Sequence, residues 1–147
     1  MNVETLNRYV EDSSLLERIL SVTEVTVTSQ ADYMHVNDKD GSLFVGLDYL
    51  QKGEVHHLYL DIIHELIHVR QYLEGKELFD EKFNYVDRPT EIEAYQGAVD
   101  EARKLGMSED AIADYIYVEW ITSVEHERLL KTLGVKSNNG STKSSRT

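Results

Sequence analysis

The sequence predicts one α+β domain, and three observations predict it. Short runs rich in β-branched residues cluster early in the chain. Longer segments with apolar residues at helical spacing fill the rest. Glycine, proline and hydroxyl or carboxylate residues punctuate the two kinds of segment at short intervals. A length of 147 residues suits a single core. A chain of that size buries roughly 68–70% of its unfolded surface.

The elements follow in order. Thr5 to Leu20 reads as a helix, with Leu6, Tyr9, Val10, Leu16, Ile19 and Leu20 near a 3.6 period. Val22 to Thr28 alternates β-branched and polar residues and reads as a strand. Tyr33 to Val36 and Ser42 to Leu47 are two more, joined by the turn cluster Asn37 to Gly41. A mostly antiparallel sheet is expected. That turn is not a calcium loop of the EF-hand kind. Counted from Asp38, its sixth position is Leu43 where glycine is needed, and its twelfth is Tyr49 where glutamate is needed.

Beyond Gly53 a helix is expected from Glu54 to Leu73, with Gly75 as its stop. At 1.5 Å per residue it is about 30 Å long, enough to cross a small domain. Its many apolar positions mark it as central. Lys76 to Val86 reads as a loop. A second helix runs from Pro89 to Leu105, with Asp87 or Thr90 as N-cap and Gly106 as terminator. Ser108 caps a short helix to Tyr117. Thr122 or Ser123 caps a last one to Leu133, ending at Gly134. Trp120, Val118, Ile121 and Val124 read as packing residues. Residues 1–135 form the expected domain. Lys136 to Thr147 has no apolar residue and is expected to be a disordered tail.

Charge and composition exclude some classes. Fifteen basic and 27 acidic residues give a net charge of −12. Nucleic acid and anionic membrane reward the opposite sign, so neither is an expected partner. With no cysteine there are no disulfides and no thiolate metal ligands. Met1 to Ser14 lacks the basic and apolar regions of a signal peptide. No apolar run is long enough to span a membrane. A soluble, cytoplasmic protein is the expectation.

The chemistry centres on His64-Glu65-Leu66-Ile67-His68 in the long helix. Histidines four apart lie one turn from each other on one face, so both imidazoles can converge on one ion. Glu65 is rotated off that face. It misses the ion yet reaches a water held by it. Two ligands, a base and an open position are what a zinc hydrolase needs. A third ligand is sought downstream. Glu91 shares its helical face with Tyr95, Ala98 and Ala102, which look inward. Glu93 shares its face with Gln96, Asp100 and Lys104, which look outward, and it stands where it can complete a capping box with Thr90. Glu91 is therefore the expected third ligand of Zn²⁺. His57 falls on the face of Asp61 and His64 and is expected to pair with Asp61.

With these residues the chain resembles the gluzincin zinc metallopeptidases, in which an H-E-x-x-H helix is followed by a glutamate helix. Its size and element order resemble the single-domain minigluzincins. The resemblance implies a zincin-like fold, with the sheet packed on the first helix and the active-site helix. It implies a peptidase acting on peptide or protein substrates, with His64, His68 and Glu91 on zinc and Glu65 as catalytic base. It also implies latency, with a C-terminal segment across the cleft. Glu91-Ile92-Glu93-Ala94-Tyr95 matches the family's E-x-x-A-D context except at Tyr95, where an aspartate usually braces the first histidine. Asp61 is the candidate substitute. Tyr85, Arg88, Tyr95, Tyr115, Tyr117 and His126 are the candidates for stabilising an oxyanion.

Overall fold

A computed structural model describes residues 21, 23–29 and 33–138. The helix expected over Thr5 to Leu20 lies outside the described residues, as does most of the tail. Lys136 and Asn138 donate backbone N–H groups to Glu109 and Asp110, so the tail's first residues follow the domain surface. No helix among the described residues is long and apolar enough to cross a membrane.

The three strands are β1 (Val25–Thr28), β2 (Met34–Val36) and β3 (Leu43–Gly46). Their order is β1-β3-β2. The expected hairpin is present: β2 pairs antiparallel with β3, Met34 opposite Val45. β1 instead adds to the far side of β3 in parallel, Val25 opposite Leu43. The sheet is therefore mixed, not mostly antiparallel: the hairpin occupies one edge of β3, and β1 runs along the other edge in the same direction as β3.

The turn is built by its own side chains. Asn37 Oδ1 accepts from the Lys39 N–H, and Asp40 Oδ1 accepts from both the N–H and the hydroxyl of Ser42. Gly41 sits at φ 75°, and a Cβ there would lie 2.6 Å from Cδ1 of Tyr72. The turn thus rests on the ring of Tyr72, whose hydroxyl donates to the Lys39 carbonyl at 3.0 Å.

The strand expected to reach Leu47 stops at Gly46. Leu47–Lys52 forms helix α1, with Asp48 in its first turn and an Asp48–Lys52 pair along one side. Helix α2 (Val55–Leu73) follows, its N-cap Glu54 accepting from the His57 N–H. After a loop and a 3₁₀ turn at Tyr85–Asp87 come α3 (Pro89–Lys104), α4 (Glu109–Ile116) and α5 (Ser123–Leu133). Ser108 caps α4, and Thr122 caps α5 in a full capping box with Glu125. Neither Asp87 nor Thr90 caps α3: its N-cap is Arg88, without a side-chain bond. Asp87 pairs with Arg128 of α5, and the Thr90 hydroxyl donates to the Leu78 carbonyl, so both are drawn away by tertiary partners.

Helix α2 is the middle of the domain. One side, Leu66 and Val69, packs on the sheet face made by Met34, Val36, Leu43 and Val45. The other meets α3, where Ile63 and Ile67 close on Ala94. Burying each isoleucine contributes about 1.5–3 kcal/mol. Leu60 continues this contact into a cluster with Ala98, Ala102, Ile112, Ile116 and Leu129, which ties α3 to α4 and α5. Ile121 is buried as expected, whereas Trp120 and Val124 are 58% and 70% exposed and do not serve as core.

Replacing Gly41 with alanine forces a side chain into the left-handed region and onto Tyr72. We expect Gly41→Ala to lower the unfolding free energy by about 1–3 kcal/mol, read as a fall in the urea midpoint with an unchanged slope.

Candidate metal centre

Where α2 and α3 touch, three buried side chains converge. His64 and His68 sit one turn apart on α2, with ring centroids 4.8 Å apart. Glu91 enters from the first turn of α3, where the helix dipole favours a carboxylate. His64 Nε2 and His68 Nε2 are 3.1 Å apart. Glu91 Oε2 lies 3.2 Å from the first and 3.5 Å from the second. The phase argument that chose Glu91 is matched by its burial, since only 4% of it is exposed.

These distances fit a metal ion. Ligands held tetrahedrally at zinc distances of 2.0–2.1 Å lie about 3.3 Å from one another. A buried polar atom also asks for one: Glu91 Oε2 makes no hydrogen bond among the described residues. Two imidazoles and a carboxylate suit a first-row divalent ion. Without an ion the charge lies on His68 and Glu91. Burial keeps His64 neutral, holding it below its ordinary value. Burial opposes charge on His68 as well, but the adjacent Glu91 carboxylate outweighs it and holds that imidazole up at about 9. Glu91 is itself buried, yet its histidine partners hold it well below the carboxylate range.

The centre lies in a cleft of about 760 Å³. Glu65 lines it, and burial pushes its carboxyl up to about 8. Of the six oxyanion candidates, Tyr85, Tyr95, Tyr115 and Tyr117 line the cleft. Arg88 and His126 do not: Arg88 lies over the Phe79 ring, and His126 Nε2 donates to the Ala113 carbonyl at 2.8 Å. The Tyr95 ring packs edge-on against His64, centroids 4.5 Å apart, and its hydroxyl meets that of Tyr85 at 2.8 Å. Burial raises both phenols above their ordinary range, so they stay neutral.

Two expectations about support are corrected. Asp61 does not brace His64. It accepts from the hydroxyls of Tyr49 and Tyr115, the latter at 2.6 Å. Nor does His57 pair with Asp61; it stands 3.9 Å from Glu54 and packs on the Tyr115 ring. Asp61 is thereby occupied by phenols that come from α1 and α4, which helical phase along α2 could not reveal. The expected capping role of Glu93 is also replaced. Its carboxylate accepts from Arg70 and from Gln71. Gln71 itself, whose Oε1 lies 2.8 Å from His68 Nδ1, was not singled out. Its signal was a fully polar side chain one turn beyond His68 on a buried helix.

Compared with known protein families, curated proteins and solved structures, the chain finds no match. The functional reading rests on this geometry.

Asp61 gives a pH test. Burial, partly offset by the Tyr115 bond, raises its carboxyl to about 6 from 3.8. The folded state therefore holds the proton more tightly than the unfolded one. The stability this contributes is full below pH 4 and is lost as pH rises through about 6. Asp61→Asn removes that loss. With a chelator present, its stability relative to the parent should improve by about 2 kcal/mol between pH 4 and pH 7, measured by urea unfolding at both.

Proposed function

We propose that this chain is a zinc metallopeptidase of the gluzincin type, built on a zincin-like arrangement of sheet, active-site helix and glutamate helix. The observation that carries the reading is the convergence of His64 Nε2, His68 Nε2 and Glu91 Oε2 within 3.1–3.5 Å, beside Glu65 in an open cleft. His64, His68 and Glu91 would hold the ion. When bound, zinc supplies a water of lowered pKa and a Lewis acid for the scissile carbonyl.

The chain's own residues supply the rest. Glu65 is placed to take the proton of the attacking water and give it to the leaving amine. Of the phenols in the cleft, Tyr115 commits its proton to Asp61, and the Tyr85–Tyr95 hydroxyl pair keeps one proton that would be donated to charge developing on the carbonyl oxygen.

Latency enters through Tyr117 to Trp120, which line the cleft. Trp120 contacts the rings of Tyr33 and Tyr85, and the Tyr33 hydroxyl donates to Glu119 at 3.3 Å. Cutting the chain at Tyr117 would not test this, because Ile121, Leu129, Leu130 and Leu133 beyond it are core. Trp120→Ala tests it with the fold kept. Peptide cleavage should rise; an unchanged rate sinks the covering role.

The reading as a whole is tested by metal analysis and one isosteric change. The purified protein should carry about one zinc per chain. Glu65→Gln should keep the zinc and lower cleavage of a peptide library by about 10²–10⁴-fold. Glu91→Ala should release the zinc to a chelator. A folded protein that takes no zinc overturns the proposal. Zinc without turnover, even in Trp120→Ala, would favour a non-catalytic zinc-binding scaffold or sensor.

A further inference from the structure

The two ligand histidines are supported in different ways. His64 Nδ1 is buried with no hydrogen-bond partner among the described residues, and the ring of Tyr95 packs on it. His68 Nδ1 faces Gln71 Oε1 at 2.8 Å. Gln71 is fully buried, so its amide has no solvent to turn to.

Which way that amide faces is decided by its neighbours. Its nitrogen end lies 3.0 Å from the Thr90 carbonyl and 2.7 Å from Glu93 Oε2. Both can only accept, so this end must be the NH₂ group. The reversed amide would set an oxygen against two acceptors and leave a buried NH₂ against His68. Glu93 is in turn held by Arg70 and, at 3.4 Å, by Lys76. The amide oxygen therefore faces His68, and an amide oxygen only accepts. The proton of His68 must then sit on Nδ1. When the ion is bound, Nε2 is then the nitrogen whose lone pair meets the point where His64 and Glu91 converge.

We propose that Gln71 is the positioning residue of this metal centre, fixing the tautomer and ring orientation of His68, and that Thr90 and Glu93 fix Gln71. The proposal rests on the reading of His64, His68 and Glu91 as a zinc site. It assigns Glu93 a role through Gln71, one step removed from the ion. Hydrogen bonds of this kind, to the nitrogen opposite the metal, orient ligand histidines and raise their basicity.

The test uses the full chain and zinc alone. Wild-type affinity is measured first by competition with a chromophoric chelator. If the folded wild type binds no zinc, the metal-site reading falls, and this is seen before any variant is made. Given binding, Gln71→Leu should weaken zinc by about 10–100-fold. Gln71→Leu binding within about threefold of wild type overturns the role of Gln71 while leaving the metal site standing. Should Gln71→Leu fail to fold, the zinc-loaded wild type decides by NMR. The Nδ1–H proton of His68 should exchange with solvent much more slowly than that of His64, which has no acceptor. Equal exchange at the two rings overturns the proposal.

Discussion

The close contact between α2 and α3 is the constraint on which the rest depends. Histidines one turn apart on a single helix offer two nitrogens and no more. The third donor has to come from another element, and it has to arrive within about a tenth of the helix length. Ala94 and Ala98 present almost no side chain to α2, and Gly97 is buried beside them, so the backbones approach and Ile63 and Ile67 fill the seam. Glu91 lies one turn before Ala94 on the same face. The apolar seam thereby sets the position of a carboxylate that would be costly to bury alone.

The polar groups around this seam divide into two sets. Glu91, His64 and His68 turn toward one another and bring three ligand atoms to a point that could hold a metal ion. Arg70, Gln71, Glu93 and Lys76 lie beyond His68 and satisfy one another through charge-assisted bonds. The second set is closed by the ion pairs of Arg70 and Lys76 to Glu93, whereas the first brings three ligand atoms to one point. Asp61 belongs to neither set. Held by two phenols at the side of the cleft, it links α1, α2 and α4 across the opening and couples their packing to its protonation.

Around the cleft the chain supplies aromatic rings from several elements. Tyr33 precedes β2, Tyr85 lies in the 3₁₀ turn, Tyr95 is on α3 and Trp120 precedes α5. Their edge-to-face contacts make one continuous wall without burying Trp120. The tyrosine hydroxyls of the wall bond to Glu119 or to one another, so the wall is apolar in bulk with its polar atoms paired.

The sequence by itself determined the pieces whose logic is local. His64 and His68 share a face because of helix periodicity, and Glu91 turns inward because Tyr95, Ala98 and Ala102 follow it at helical spacing. The turn at Gly41, the caps at Ser108 and Thr122, and the ends of α2 to α5 were legible for the same reason: each is fixed within a few residues by backbone sterics and hydrogen bonding. Tertiary structure decided what depends on residues far apart in the chain. The strand order placed β1 parallel to β3, since pairing partners are not encoded in a strand's own pattern. Asp61 went to Tyr49 and Tyr115 instead of His64, Asp87 went to Arg128, and Glu93 left the capping box for Arg70 and Gln71. In each case a carboxylate with a plausible local partner was claimed by a stronger or more buried one, and that competition takes place only in three dimensions.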